Sequence, residues 1–155
     1  MTQASVKDIY ETMEYGPALE SDSAAREWLK SRKETVEHYI DGKFVKGTKT
    51  FDSNNPANGE FLAKAPLGTS ADVDKAVAAA KKALGPWQKL SCYERSKYLY
   101  ALARLIQKNG RLLAVLETLD NGKPIRESRD IDVPLAARHF YHHAGWAKLR
   151  DAEFP

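Results

Sequence analysis

The 155-residue chain has a single cysteine, Cys92. One thiol excludes a disulfide framework and any cysteine cluster at zinc-ligand spacing. No apolar run approaches the roughly 20 residues that a membrane-spanning helix needs. A glycine-rich phosphate cradle is also missing. Gly42, Gly47, Gly59 and Gly68 are spaced as single turns, with no Gly-x-Gly-x-x-Gly pattern. Excess charge of one sign is scarce: 24 basic and 21 acidic residues leave +3. The signs are interleaved, as in Arg126, Glu127, Arg129 and Asp130, which describes a solvated surface and excludes a basic stripe for nucleic acid. Met1 to Gly16 carries Asp8, Glu11 and Glu14 and lacks the basic start and apolar stretch of a secretory signal. A cytoplasmic protein is the expectation.

What is present is enough for a packed core, since 43% of residues are hydrophobic. Residues 1–37 read as a helical leader. Val6, Ile9 and Met13 share one face of a first helix, closed by Gly16-Pro17. A second spans Ser21 to Lys33, with Ser23 as its cap and Trp28-Leu29 on its apolar side. Residues 38–68 change to strands. Tyr39-Ile40 and Phe44-Val45 flank Asp41-Gly42, a hairpin signal, because both turn positions tolerate positive φ. A turn over Asn54 to Gly59 precedes a third strand around Phe61, Ala63 and Ala65, which Pro66-Leu67-Gly68 ends.

The remainder reads as helices. Ser70 caps the first, with Val73, Ala76, Val77, Ala80 and Leu84 on its buried face and Gly85-Pro86 closing it. Ser91 and Glu94 form a capping box. Leu99, Leu102, Ala103 and Ile106 line one side of that second helix, which Asn109-Gly110 ends. The next buries Leu112, Leu113, Leu116 and Leu119 and ends at Asn121-Gly122. Pro124 opens a short helix, and Pro134 sits in the first turn of the last one. A hairpin and one extra strand rarely make a stable sheet alone, so these strands are expected to dock on a sheet built elsewhere.

Several ordered blocks carry a resemblance. They are Tyr39-Ile40-Asp41-Gly42-Lys43-Phe44, Asn55-Pro56-Ala57-Asn58-Gly59-Glu60, and Asp72-Val73-Asp74-Lys75-Ala76-Val77 running on to Trp87. Glu94-Arg95, Leu102-Ala103-Arg104-Leu105-Ile106, Leu116 through Pro124, and Ala144-Gly145-Trp146-Ala147 follow in order. Residues 39–149 thereby resemble the N-terminal part of the aldehyde dehydrogenase superfamily. The leader run Tyr10 to Pro17, with His142-His143 downstream, looks most like family 16 of that superfamily.

The resemblance implies an α/β fold: the N-terminal part of a Rossmann-like cofactor-binding domain, with a β-hairpin and edge strand followed by covering helices. The helical leader over 1–37 is not general to the superfamily, and the resemblance implies for 38–155 a partial domain that stops before the nucleotide and catalytic motifs. The parent protein would be an oxidoreductase converting aldehydes to carboxylic acids with NAD or NADP. In the family a cysteine thiolate attacks the aldehyde, and a glutamate activates the water that releases the acid. None of those residues maps onto this chain, so the chain alone is expected to be inactive and to bind no cofactor. Its expected partner is the remainder of an aldehyde dehydrogenase chain, with a homo-oligomer or another protein partner also open. The alternative reading is a truncated product or pseudoenzyme acting as a non-catalytic scaffold.

Four sets of side chains stand as candidates. Cys92, in a helix's first turn, has the position of an activated thiol but reads as an ordinary, partly buried one. His139, His142 and His143 have i, i+3, i+4 metal spacing, against a reading as helix-packing residues in aromatic places. Ser53 and Asp120 match positions that help hold a monovalent cation in some family structures. The competing reading for Asp120 is a helix-end carboxylate bonding its own turn. Leu135 and Phe140 fall in the helix that borders the aldehyde tunnel in relatives, or simply pack in the core.

Overall fold

The structure, a computed structural model, describes residues 20–153, with side chains through residue 150. The first leader helix expected from sequence lies outside the described residues. Helix α1 spans Ser23–Ser31. Ser23 lies inside it and is not its cap. The Ser21 hydroxyl accepts the Ser23 N–H at 3.2 Å, and the Asp22 carboxylate turns to Arg26 Nε at 2.6 Å. Ala25 and Leu29 face the core, with Trp28 half-buried beside them.

Four strands follow, one more than the sequence pattern predicts. β1 (His38–Ile40) and β2 (Lys43–Val45) form the expected antiparallel hairpin. Asp41 and Gly42 both take positive φ, +53° and +75°, as a two-residue turn matching strand twist requires. β3 (Lys49–Asn54) pairs antiparallel with β4 (Phe61–Leu67), so two separate two-stranded sheets result. The connecting turn is organised by Asn55, which is buried. Its N–H donates to Glu60 O, its carbonyl accepts from Gly59 N at 2.7 Å, and its side-chain oxygen accepts from Ala57 N at 2.9 Å. The far edge of β4 is capped by the chain leaving α1. Lys64 N donates to Glu34 O, and Val36 N donates to Lys64 O at 2.9 Å.

Helix α2 (Ser70–Lys89) departs from expectation three ways. Thr69, not Ser70, is the cap, in a reciprocal box with Asp72. Hydrogen bonds from the Thr69 hydroxyl and N–H hold the Asp72 carboxyl below its usual range. The helix also continues through Gly85-Pro86. Proline removes one amide donor and kinks a helix without always ending it, and the turn beyond is held by Trp87 against Tyr98, rings 5.6 Å apart. Finally, the predicted buried face is exposed: Val73, Val77 and Leu84 keep 59%, 46% and 51% of their surface. No described element covers them: periodicity marks the apolar stripe, and the described residues leave it exposed.

α3 (Cys92–Lys108) starts at the predicted Ser91–Glu94 box. α4 (Gly110–Asn121) ends at Gly122, φ +77°. Pro124 precedes the short α5 (Ile125–Glu127). One π-helical turn (Ser128–Asp132) then leads into α6 (Val133–Glu153). Pro134 has no N–H for the carbonyl four residues back, which lies within that wide turn. α3 and α6 run antiparallel. Tyr141 packs on Tyr100 and donates to Gln107 Oε1 at 2.6 Å, while Lys148 reaches the ring of Tyr93. The small residues Ser96, Ala103, Ala137 and Ala144 are buried and allow close approach. Leu102, expected on this buried side, is exposed, and so is Leu113 of α4.

The main core lies where α1 and β4 meet α4. Ala25, Leu29, Leu62, Ala63, Val115 and Leu119 form it, with Trp28, Leu112, Leu116 and Ile125 against its edge.

Candidate functional site

β3 and the end of α4 bring Ser53 and Asp120 together across 67 residues of sequence. Ser53 Oγ donates to Asp120 Oδ1 at 2.6 Å. Asp120 therefore does not close its own turn. That role falls to Asn121, whose Oδ1 accepts from Lys123 N at 2.8 Å. The pair lines a cleft of about 400 Å³. Its walls are apolar, with Leu62, Leu113 and Leu116, and Glu117 adds a second carboxylate beside Asp120. The lining offers a hydroxyl and two carboxylates, hard oxygen donors of the kind that hold a cation without directional demands. No group of three histidine, cysteine or acidic residues able to hold a metal occurs among the described residues.

The other candidates do not converge on this cleft. Cys92 is buried at 4% exposure, more than the partial burial its sequence position suggested. Arg95 Nη2 lies 2.9 Å from its sulfur, while Nη1 donates to Leu90 O. His139, His142 and His143 stand on the exposed surface of α6. His142 meets His143 edge-on at 5.3 Å and Trp146 at 6.3 Å. Leu135 is exposed and Phe140 half-buried.

Two arrangements were not anticipated from sequence. Glu20 accepts from Arg111 Nη2 at 3.0 Å and from Arg129 Nη1 at 3.3 Å, tying the chain before α1 to α4 and to the π-helical turn. The Arg111 hydrogen bond, opposed by burial, holds the Glu20 carboxyl below its usual range. Lys123 bridges Asp132 and Glu127 across the same turn, and the Asp132 bond raises its pKa. The Glu20 partners, 91 and 109 residues away, leave no periodic trace and only three-dimensional placement exposes them, whereas Lys123–Glu127 has the i, i+4 spacing that a helix pairs.

Comparison with known proteins places this geometry. The model of the aldehyde dehydrogenase family matches residues 44–154. A mitochondrial aldehyde dehydrogenase family 2 member B4 from Arabidopsis thaliana is 42% identical over 134 residues, covering 82% of this chain and 25% of that protein. An acetaldehyde dehydrogenase from Pseudomonas aeruginosa is 43% identical over 116 residues, covering 74% and 23%. Among solved structures, the NAD+ complex of an aldehyde dehydrogenase from Bacillus cereus superposes with a TM-score of 0.73 at 35% identity, covering 83% of this chain and 26% of that one. PnpE in complex with nicotinamide adenine dinucleotide gives 0.70 at 41% identity, covering 73% and 24%. The chain thus spans about a quarter of the length of these relatives and corresponds to their N-terminal part. The chain's α/β framework superposes on that part over 83% of its length in the Bacillus cereus structure. This chain belongs to the aldehyde dehydrogenase family.

Proposed function

We propose that these residues serve an NAD(P)-dependent oxidoreductase that converts aldehydes to carboxylic acids, supplying the N-terminal part of its cofactor-binding domain. The observation that carries this is the exposed apolar face of α2. Val73, Val77 and Leu84 are patterned for burial at helical spacing, yet no described element covers them. A sheet built by the rest of a dehydrogenase chain is the cover that pattern fits. The proposed division is a helical leader over 1–37 and a partial cofactor domain over 38–155, acting in the cytoplasm. Within the family, the Tyr10 to Pro17 run and the His142-His143 pair support a place near family 16.

On this reading the 155 residues bind no dinucleotide and turn over no aldehyde by themselves: the sequence holds no glycine-rich phosphate loop, and no activated nucleophile is assembled among the described residues. Calorimetric titration with NAD, alongside NADH formation over a panel of aldehydes, checks it. Neither binding nor turnover is the expected outcome. Saturable NAD binding would move the nucleotide site into this chain and overturn the assignment.

Ser53 and Asp120 are proposed to share in holding a monovalent cation, a role supported by their 2.6 Å contact in the lining of the cleft. At equal ionic strength, sodium or potassium chloride should raise Tm above tetramethylammonium chloride, and Asp120→Asn should erase the difference. Equal melting in all three salts would remove the cation from the account.

A further inference from the structure

We propose that the cleft between α1 and the β1–β2 hairpin binds a small organic carboxylate with an apolar body. The cleft encloses about 370 Å³, within the range of small-molecule sites. Arg32 is among its lining residues. The guanidinium lies 5.5 Å from the ring centroid of Trp28, on α1, and 5.1 Å from that of Phe44, on β2. Two rings from different elements thus hold one guanidinium between them. Among the described residues no side chain hydrogen-bonds or ion-pairs with this guanidinium; its recorded partners are the two rings. Its fork of N–H donors is therefore positioned and available, the condition under which a guanidinium takes a carboxylate in two parallel bonds.

The surroundings favour an anion over a cation. Lys33 and Lys46 line the same cleft, against one carboxylate, Glu37. The remaining walls, Trp28, Val36 and Phe44, are apolar and leave room for a hydrocarbon or aryl body. An inorganic anion would use the charges and leave those walls wet.

The backbone supplies an independent observation. Lys33 and Glu34, two consecutive non-glycine residues, take φ of +54° and +51°. The left-handed region is unfavourable for such side chains and persists only where surrounding structure imposes it. Here it is imposed from both sides. Glu34 N donates to Leu29 O at 2.9 Å, closing α1, and Lys64 N donates to Glu34 O at 2.8 Å, stitching the segment to β4. The reversal sets Lys33 at the cleft and carries Val36 and Glu37 into its wall. A chain that only had to leave α1 could have used glycine at this reversal.

Ligand-observed NMR titration of the full chain tests the proposal, with 3-phenylpropionate as probe, 3-phenylpropanamide as its uncharged counterpart, and inorganic phosphate. The acid should bind saturably below about 10 mM. The amide should bind at least about 10-fold more weakly, since one charge-assisted pair is lost. Arg32→Gln should weaken the acid by a similar factor and leave the amide unchanged, while Arg32→Lys should fall between. Melting curves establish that each variant folds. Should Arg32→Gln fail to fold, Lys46→Gln and the acid–amide comparison decide the matter. Absence of saturation, equal binding of acid and amide, or undiminished binding by Arg32→Gln would overturn the proposal. Phosphate binding as tight as the acid would overturn the role of the apolar walls.

Discussion

Leu119→Ala should destabilise the fold by about 2–5 kcal/mol and lower Tm on the order of 10 °C. Leu119 is 8% exposed on α4, where the core joins three elements. It packs in one cluster with Ala25 and Leu29 of α1 and with Leu62 and Ala63 of β4. Truncation removes the transfer free energy of three carbons and leaves a void that small neighbours such as Ala25 and Ala63 fill poorly. A domain's whole stability is about 5–15 kcal/mol, so this loss is a large share. The comparison that isolates the effect is Leu113→Ala on the same helix. Leu113 is 39% exposed and should cost much less. Equal losses for the two variants would show that α4 does not anchor the core as described.

Gly122→Ala should cost about 2 kcal/mol, from two causes that can be separated. The residue sits at φ +77°, where a side chain is strained by about 1 kcal/mol. A Cβ there would also lie 2.8 Å from Pro56 Cγ, in the turn between β3 and β4. Gly42→Ala is the natural control. Gly42 has φ +75°, but a Cβ there meets nothing within 4 Å, so only the conformational part applies. Urea midpoints at unchanged slope measure both losses. In the Pro56→Ala background the extra cost of Gly122→Ala should shrink toward that of Gly42→Ala, and an undiminished cost would rule out the Pro56 contact as its cause. The contact matters for the candidate site too. It seats the end of α4 against the β3–β4 turn, close to the Ser53–Asp120 pair.

Both positions show what the sequence makes legible. Gly122 was read as a helix end because a left-handed residue is a local demand that glycine meets locally. Asp41-Gly42 and the Ser91–Glu94 box were legible for the same reason. β3 was not, because Lys-Thr-Phe-Asp-Ser-Asn is mostly polar and shows no buried alternation; its pairing with β4, rather than its composition, makes it a strand. Pro86 was read as a helix end, though packing of Trp87 on Tyr98 carries α2 past it. For the face of α2, periodicity correctly marked the apolar stripe but not its environment. The candidate site divides likewise. Ser53 and Asp120 were named by family likeness, and their hydrogen bond is a product of the fold. Trp28 and Arg32 stand at i, i+4 spacing, which sequence shows, whereas the placing of Phe44 over the same guanidinium required the hairpin.

The central claim is that these residues are the N-terminal framework of an aldehyde dehydrogenase, completed by a chain that carries the nucleotide site. The most direct measurement replaces the matching quarter of the Bacillus cereus aldehyde dehydrogenase with the whole stretch of this chain that superposes on it, α1 and both hairpins included, and titrates the chimera with NAD. Tight NAD binding with aldehyde-dependent NADH formation is the predicted result, because the exposed face of α2 would then meet the sheet it is patterned to cover. A chimera that is soluble and melts cooperatively, yet binds no NAD, would contradict the account.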